Sequence, residues 1–400
     1  MDVARLGQSI DEREVRLDQK GFEHELLLTP GPVAIPRRVA LAGASIVHHR
    51  SEEFQALLEE VDTKLKLLFR TRQTLLYFTA SGTGAMEACV ANLLKKGDRP
   101  LVVVGGKFGQ RWAAIMRAYG IEPHLLEVEW GHAPEPEALA RALEEHPEVE
   151  MVFTQLFETS TATAYDIEAI AKICREHGAL LVVDAISGLG AMPLETDSWG
   201  VDVVVAGSQK ALMAPPGLSF VSVSERAWER VERSDLPRFY FDFPSAREKL
   251  FFTPFTPAVS LFAQLNESLN MILEEGIEAR MRRYSRYAEA TRAAAKALGL
   301  RVMSARPGPV CTALGMPGGI DAEEIRKALR ERFGIRVAGG QERWKGRVIR
   351  IAHIGDLSER DVLGSIGALE LALQRLGHRV EPGSGVSAAL KVLSQGVRDV

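Results

Sequence analysis

Between residues 54 and 68 the apolar side chains Phe54, Leu57, Leu58, Val61, Leu65 and Leu68 recur at helical spacings, which predicts one amphipathic helix. The next segment, "TLLYFTASG", changes period: a short apolar run closes on a glycine turn and reads as a buried strand. From there short apolar runs alternate with helical patterns: "PLVVVGG", "RWAAIMRAYG", "IEPHLLEVE", "PEALARALEEH", "VEMVFTQL", "DIEAIAKICREHG", "ALLVVDAIS" and "VDVVVAGSQK". Continuous Val/Leu runs leave a strand no polar face. Strands of that kind, separated by helices of about a dozen residues, predict a mainly parallel sheet covered by helices on both sides. Residues 23–257 are therefore expected to form a large α/β domain.

After "FTPFTPAVS" a long helical stretch includes "EEGIEARMRRYSRYAEATRAAAKALGL", whose Arg and Glu density marks a solvated face. The runs "VCTALGMP", "AEEIRKALRERFGIRVAGG" and "VIRIAHIG" predict strand, helix and strand, closed by a helix over "ERDVLGSIGALELALQRLG". This is a smaller α+β domain, residues 258–380 with its linking helix. Residues 1–22 are polar without a core face and read as an arm. Residues 381–400 begin with a Pro/Gly/Ser linker and read as a loosely held tail.

Composition narrows the class. With 400 residues, 46% hydrophobic and 26% charged, the chain has material for one large core and a smaller second one. A net charge of −4 and no basic stripe with interleaved aromatics give no footprint for nucleic acid. Cys89, Cys174 and Cys311 are far apart and form no C-x-x-C pair, so neither a disulfide framework nor a metal site is expected, and a reducing cytoplasm suits them. The charged N-terminus carries no targeting pattern, and no stretch reaches the ~18–20 consecutive apolar residues of a membrane span.

The chemistry lies where the strands end. "ASGTGAME" follows a strand and opens a helix, so Ser81, Gly82 and Thr83 can present N–H groups and hydroxyls at the positive end of a helix dipole, the place where proteins bind phosphate. "LVVVDAISGLG" ends an apolar strand with Asp184, a carboxylate that needs a partner if buried. Lys210 stands 26 residues later, at the end of the next apolar strand. In open parallel sheets the carboxyl ends face the ligand crevice, which would gather Ser81, Asp184 and Lys210 there. A lysine in a partly dry crevice becomes a usable amine nucleophile. A phosphate cradle, an acid for a ring cation and an amine for an aldehyde together describe a site for pyridoxal 5'-phosphate.

The segments "TPGPV", "HRSEEF", "SGTGAMEA", "GGKFGQRW", "ETSTA", "VDAISGLG", "GSQKALMAPPGLSF", "TPAVS" and "IRIAHIG" resemble the successive signatures of class V aminotransferases over about residues 26–375, in particular the alanine–glyoxylate and serine–pyruvate group. The resemblance implies the fold type I architecture of pyridoxal-phosphate transferases and a homodimer with active sites at the subunit interface. It implies that Lys210 forms the Schiff base and serves as general base, and that Asp184 bonds the pyridinium nitrogen. Ser81, Gly82, Thr83 and Gln209 would hold the phosphate, helped by Thr256 of the partner subunit. Phe108 would stack on the ring, Ile186 would pack on its other face, and Thr159 would lie near its phenolic oxygen. Arg350 would grip the substrate carboxylate with its bidentate fork, beside Gly31 of the "TPGPV" loop.

The implied reaction moves an amino group from a small amino acid, alanine or serine, to glyoxylate or pyruvate by a ping-pong mechanism. Aspartate or phosphoserine as donor, or a lyase or desulfurase, would use the same group. A desulfurase needs a cysteine on a mobile loop, whereas Cys311 lies in the apolar run "GPVCTALGMP". The chain departs from the family at Thr253, where tyrosine is frequent, and at Ala162, where glycine is usual. "HHRSEEF" resembles a segment at the active-site entrance, and its adjacent histidines are not expected to share a metal because side chains on an extended stretch diverge.

Overall fold

The computed structural model describes residues 25–395. The arm expected over residues 1–22 lies outside them. Fourteen strands follow along the described chain: β1 (Leu26–Leu28), β2 (Thr74–Phe78), β3 (Leu101–Val104), β4 (His124–Glu127), β5 (Met151–Gln155), β6 (Phe157–Glu158), β7 (Thr163–Ala164), β8 (Leu180–Asp184), β9 (Val203–Gly207), β10 (Ser219–Val223), β11 (Arg301–Val302), β12 (Cys311–Gly315), β13 (Ile335–Gly339) and β14 (Val348–Ala352).

Seven of them form one sheet in the order β2-β10-β9-β8-β5-β3-β4. Pairing is parallel from β9 through β8, β5 and β3 to β4, while β10 runs antiparallel to both β9 and β2. The side-chain alternation of a strand sends Val204 and Ala206 of β9 into one apolar layer and Val203 and Val205 into the other, as do Leu181 and Val183 against Leu180 and Val182 in β8. One layer is closed by helices Glu52–Phe69 and Val259–Glu275, the other by Gly82–Leu93 and Lys107–Ala118. The predicted helix over residues 54–68 sits within Glu52–Phe69, with Phe54, Leu58, Val61, Leu65 and Leu68 buried and Ser51 capping its N-terminus through the Phe54 amide.

The smaller sheet has the order β1-β13-β14-β12-β11. Leu26–Leu28, placed by sequence in the large α/β unit, pairs parallel with Ile335–Val337 and joins this second sheet. The tail expected to be loose also differs: Ser384–Leu393 is a helix whose Ala389 and Leu393 are buried in the core of the small unit. The buried carboxylate of Glu370, on helix Glu359–Arg375, accepts the amides of Gly383 and Gly385 and so caps its start.

Candidate active site

Asp184 is the last residue of β8, set in register with Gln155 on β5 and Val205 on β9. It is 6% exposed, and the one hydrogen bond to its carboxylate among the described residues comes from the Ile186 amide at 2.8 Å. Burial pushes its carboxyl from 3.8 up to about 7, against the pull of that amide. A carboxylate so placed is poised to accept a cationic N–H.

Lys210 follows β9 by three residues and is part-buried, with Nζ donating to the Pro30 carbonyl at 2.7 Å. Burial pulls its ammonium from 10.5 to about 8, opposed by the negative charge of Asp184. Gly31 makes room for it. The backbone there has φ +134°, and a Cβ would stand 2.4 Å from Lys210 Nζ, so any larger residue would occupy the space of the amine.

The turn after β2 leads into helix Gly82–Leu93 with Ser81 as its N-cap, whose hydroxyl bonds no helix amide. A Cβ on Gly82 would lie 2.4 Å from Ile186 Cδ1, and one on Gly207 would lie 3.7 Å from Gly82 Cα and 3.0 Å from Gln209 Oε1. Thus Gly82, Ile186, Gly207 and Gln209 meet at the carboxyl edge of the sheet. The Gln209 side-chain amide bonds no other protein group among the described residues, and its buried Oε1 is unpartnered. Thr83 Oγ1 accepts from Arg111 Nη1 at 3.1 Å.

Across the opening, Arg350 on β14 is 5% exposed. Its Nε donates to the Gly339 carbonyl at 3.0 Å and its Nη1 to the Thr159 carbonyl at 2.8 Å, which fixes the guanidinium and leaves Nη2 without a protein partner among the described residues. The Thr159 hydroxyl donates to Ser187 Oγ at 2.8 Å. Gly31, Phe108, Thr159, Lys210 and Arg350 line one cleft of about 460 Å³, together with Arg326 and Lys345. Thr256 is not among them. It is exposed and lines a separate depression with Tyr77, Phe78 and Thr79.

Three neighbours escaped the sequence reading. Arg111 stacks over the Phe108 ring at 4.8 Å and contributes positive charge at both Asp184 and Lys210. Its signal was available, because residues three apart on a helix share a face and "KFGQR" spaces Phe108 and Arg111 that way. Glu158, fully buried, accepts the amides of Phe108 and Gly109 at 3.1 and 3.0 Å and so occupies the start of helix Lys107–Ala118. Ser187 holds the Thr159 hydroxyl. No local pattern marks these last two pairings. At Ala162 the structure explains the usual glycine: φ is +58°, in the left-handed region. Thr253 also has a positive φ, +53°, and its hydroxyl donates to the Phe255 carbonyl at 2.8 Å, shaping the loop that carries Thr256.

The residues present fit pyridoxal phosphate. A buried acid awaits a cation, an amine of lowered basicity is sheltered by a glycine, and a helix N-terminus lies beside an unengaged amide. Comparison with known proteins agrees. The family model for Aminotransferase class-V matches residues 37–346. The chain is 43% identical to a protein named soluble hydrogenase, small subunit, of Synechococcus sp., over 92% of this chain and 98% of that one. It is 36% identical to serine–glyoxylate aminotransferase of Methylorubrum extorquens, over 92% and 96%. The crystal structure of ureidoglycine–glyoxylate aminotransferase from Bacillus subtilis superposes with a TM-score of 0.89 at 29% identity, covering 93% of this chain and 98% of that one.

Proposed function

The chain belongs to the class V aminotransferases and is a pyridoxal-phosphate-dependent transaminase, and from that premise we propose that Lys210, Asp184 and Arg350 carry its reaction. When bound, pyridoxal phosphate supplies an aldehyde that takes up amino groups and a ring that draws electrons from the carbon losing its proton. Lys210 Nζ would hold the aldehyde end and, as the amine nearest the reacting carbon, would take up and return the proton lost from the substrate Cα. Its basicity near 8 lets an appreciable fraction of the amine be neutral around neutral pH.

Asp184 would accept the ring N–H and keep that nitrogen protonated. Ser81, Gly82, Thr83 and Gln209 would hold the phosphate, with Thr256 of the partner subunit. Phe108 and Ile186 would flank the ring, and the Thr159 hydroxyl would serve its phenolic oxygen. Arg350 Nη2 takes the substrate α-carboxylate, fixed in aim by the two carbonyls on its other nitrogens, while Gly31 keeps space open beside the amine.

The observation that carries this reading is the buried Asp184 carboxyl, pushed up to about 7 with no cationic nitrogen bonded to it among the described residues. The donor is a small amino acid, alanine or serine, and the acceptor glyoxylate or pyruvate, in two half-reactions. Arg326 and Lys345 on the same cleft favour, as a second reading, a donor with another acidic group such as aspartate or phosphoserine. A desulfurase role is disfavoured because Cys311 is fully buried in β12 and burial pushes its thiol up to about 11.

The working unit is a homodimer. Exposed aromatic side chains, Phe239 (81% exposed) with Tyr240 and Phe252, border the loop that carries Thr256, and Phe239 and Tyr240 pack on the half-buried Phe255. Its setting is the cytoplasm, in keeping with three unpaired cysteines; no helix among the described residues is long and apolar enough to cross a membrane. Mixing the cofactor-loaded enzyme with single amino acids tests the substrate reading. Alanine or serine should convert the bound aldehyde absorption to that of the amine form, and glyoxylate should restore it. Conversion by aspartate alone would move the assignment to the second reading.

A further inference from the structure

At the far edge of the large sheet the fold assembles a group that no spacing in the sequence announces. His124 opens the edge strand β4, while His146 and Glu148 flank Pro147 in the link between helix Pro136–Glu145 and β5. The Val149 amide donates to the His146 carbonyl at 3.0 Å, so one closed turn presents His146 and Glu148 side by side. His124 Nε2 lies 2.8 Å from Glu148 Oε1, and the His124 and His146 rings stack with centroids 3.7 Å apart. One donor atom from each of the three side chains falls within 4.8 Å of the others.

We propose that His124, His146 and Glu148 form a binding site for a divalent transition metal of the zinc class. Two imidazoles and a carboxylate are the mixed N/O donor set that such ions favour, with a fourth position left to water. Donors set tetrahedrally around one ion at about 2.1 Å stand about 3.4 Å apart, so the present spread of up to 4.8 Å must close by roughly an ångström or more, within reach of side-chain rotation. The side chains that would move are the freer ones: His146 is 36% and Glu148 51% exposed, whereas His124 is 10% exposed and held by its strand. His124 Nε2, now facing the carboxylate, becomes a ligand when its proton moves to Nδ1. The ion would clip the outermost strand to the helix–strand link beside it, a role separate from the amine chemistry at Lys210.

The test uses the cofactor-loaded enzyme, freed of metal by chelator, desalted and titrated with Zn2+ by calorimetry. Wild type should bind one ion per chain, and its melting temperature should rise when Zn2+ is added. His146→Ala and Glu148→Gln, both at exposed positions, should each weaken that binding about tenfold or more and abolish the rise in melting temperature, with turnover unchanged. Cobalt added in place of zinc should give the visible bands of a tetrahedral site in wild type and lose them in His146→Ala. Binding of unchanged affinity in both variants would overturn the proposal, as would the lack of any one-to-one binding in wild type.

Discussion

Asp184 and Lys210 are the residues on which the proposed chemistry turns, and each has a consequence that can be measured. Lys210→Ala should lower turnover by about a thousandfold or more, since both the anchor and the base are lost; single-turnover absorption with the best donor reads it. For Asp184 the prediction concerns pH. Its folded value is raised to about 7 from 3.8, so the stability its protonated form brings is present at low pH and lost as pH rises through about 7. Cofactor-stripped wild type should therefore lose melting temperature relative to Asp184→Asn between pH 5 and about 8. Loading the cofactor should remove that difference by giving the carboxylate its cation. A gap that widened with falling pH would contradict the account.

Arg350→Lys keeps the charge and loses the fork, so kcat/KM should fall about 10- to 100-fold, mainly in KM. Ala162→Gly relieves a left-handed alanine and should raise stability by about 0.5–1 kcal/mol in a denaturant titration. Asp184 and Lys210 were readable from sequence because a buried strand followed by a charged or glycine-rich turn puts its polar groups at a predictable edge, whereas Arg350, inside β14, and Ala162 were named only through the family resemblance. Glu158 and Ser187 were not readable, because their partners lie on other elements and only tertiary packing brings them together.

At the scale of elements, the alternation of apolar runs and amphipathic helices carried the large sheet, since a strand buried on both faces leaves an unbroken Val/Leu signature. Two elements were misplaced for physical reasons. Leu26–Leu28 is too short to show which sheet it pairs with, and its partner Ile335–Val337 lies three hundred residues away. The terminal helix begins in a Pro/Gly/Ser segment that resembles a linker, yet Val386, Ala389, Val392 and Leu393 recur at helical spacing and pack into the small core. Leu393 is 3% exposed, and Leu393→Ala should cost about 2–4 kcal/mol. Activity per folded molecule should be unchanged, which separates a packing role from a catalytic one.

At the scale of the whole molecule, the proposed phosphate contact from Thr256 of the partner subunit would join catalysis to association. The double variant Phe239→Asp, Phe255→Asp should shift the mass in light scattering from dimer to monomer and weaken cofactor binding about tenfold or more. A variant that stayed dimeric with full cofactor affinity would place the interface elsewhere. Whether the proposed amine, three residues after β9, holds the aldehyde can be read by fixing the bound cofactor with borohydride and mapping the modified peptide by mass spectrometry. A single pyridoxyl mark should appear on Lys210, in "GSQKALMAPPG". A mark on any other lysine, or none in the loaded enzyme, would contradict that assignment.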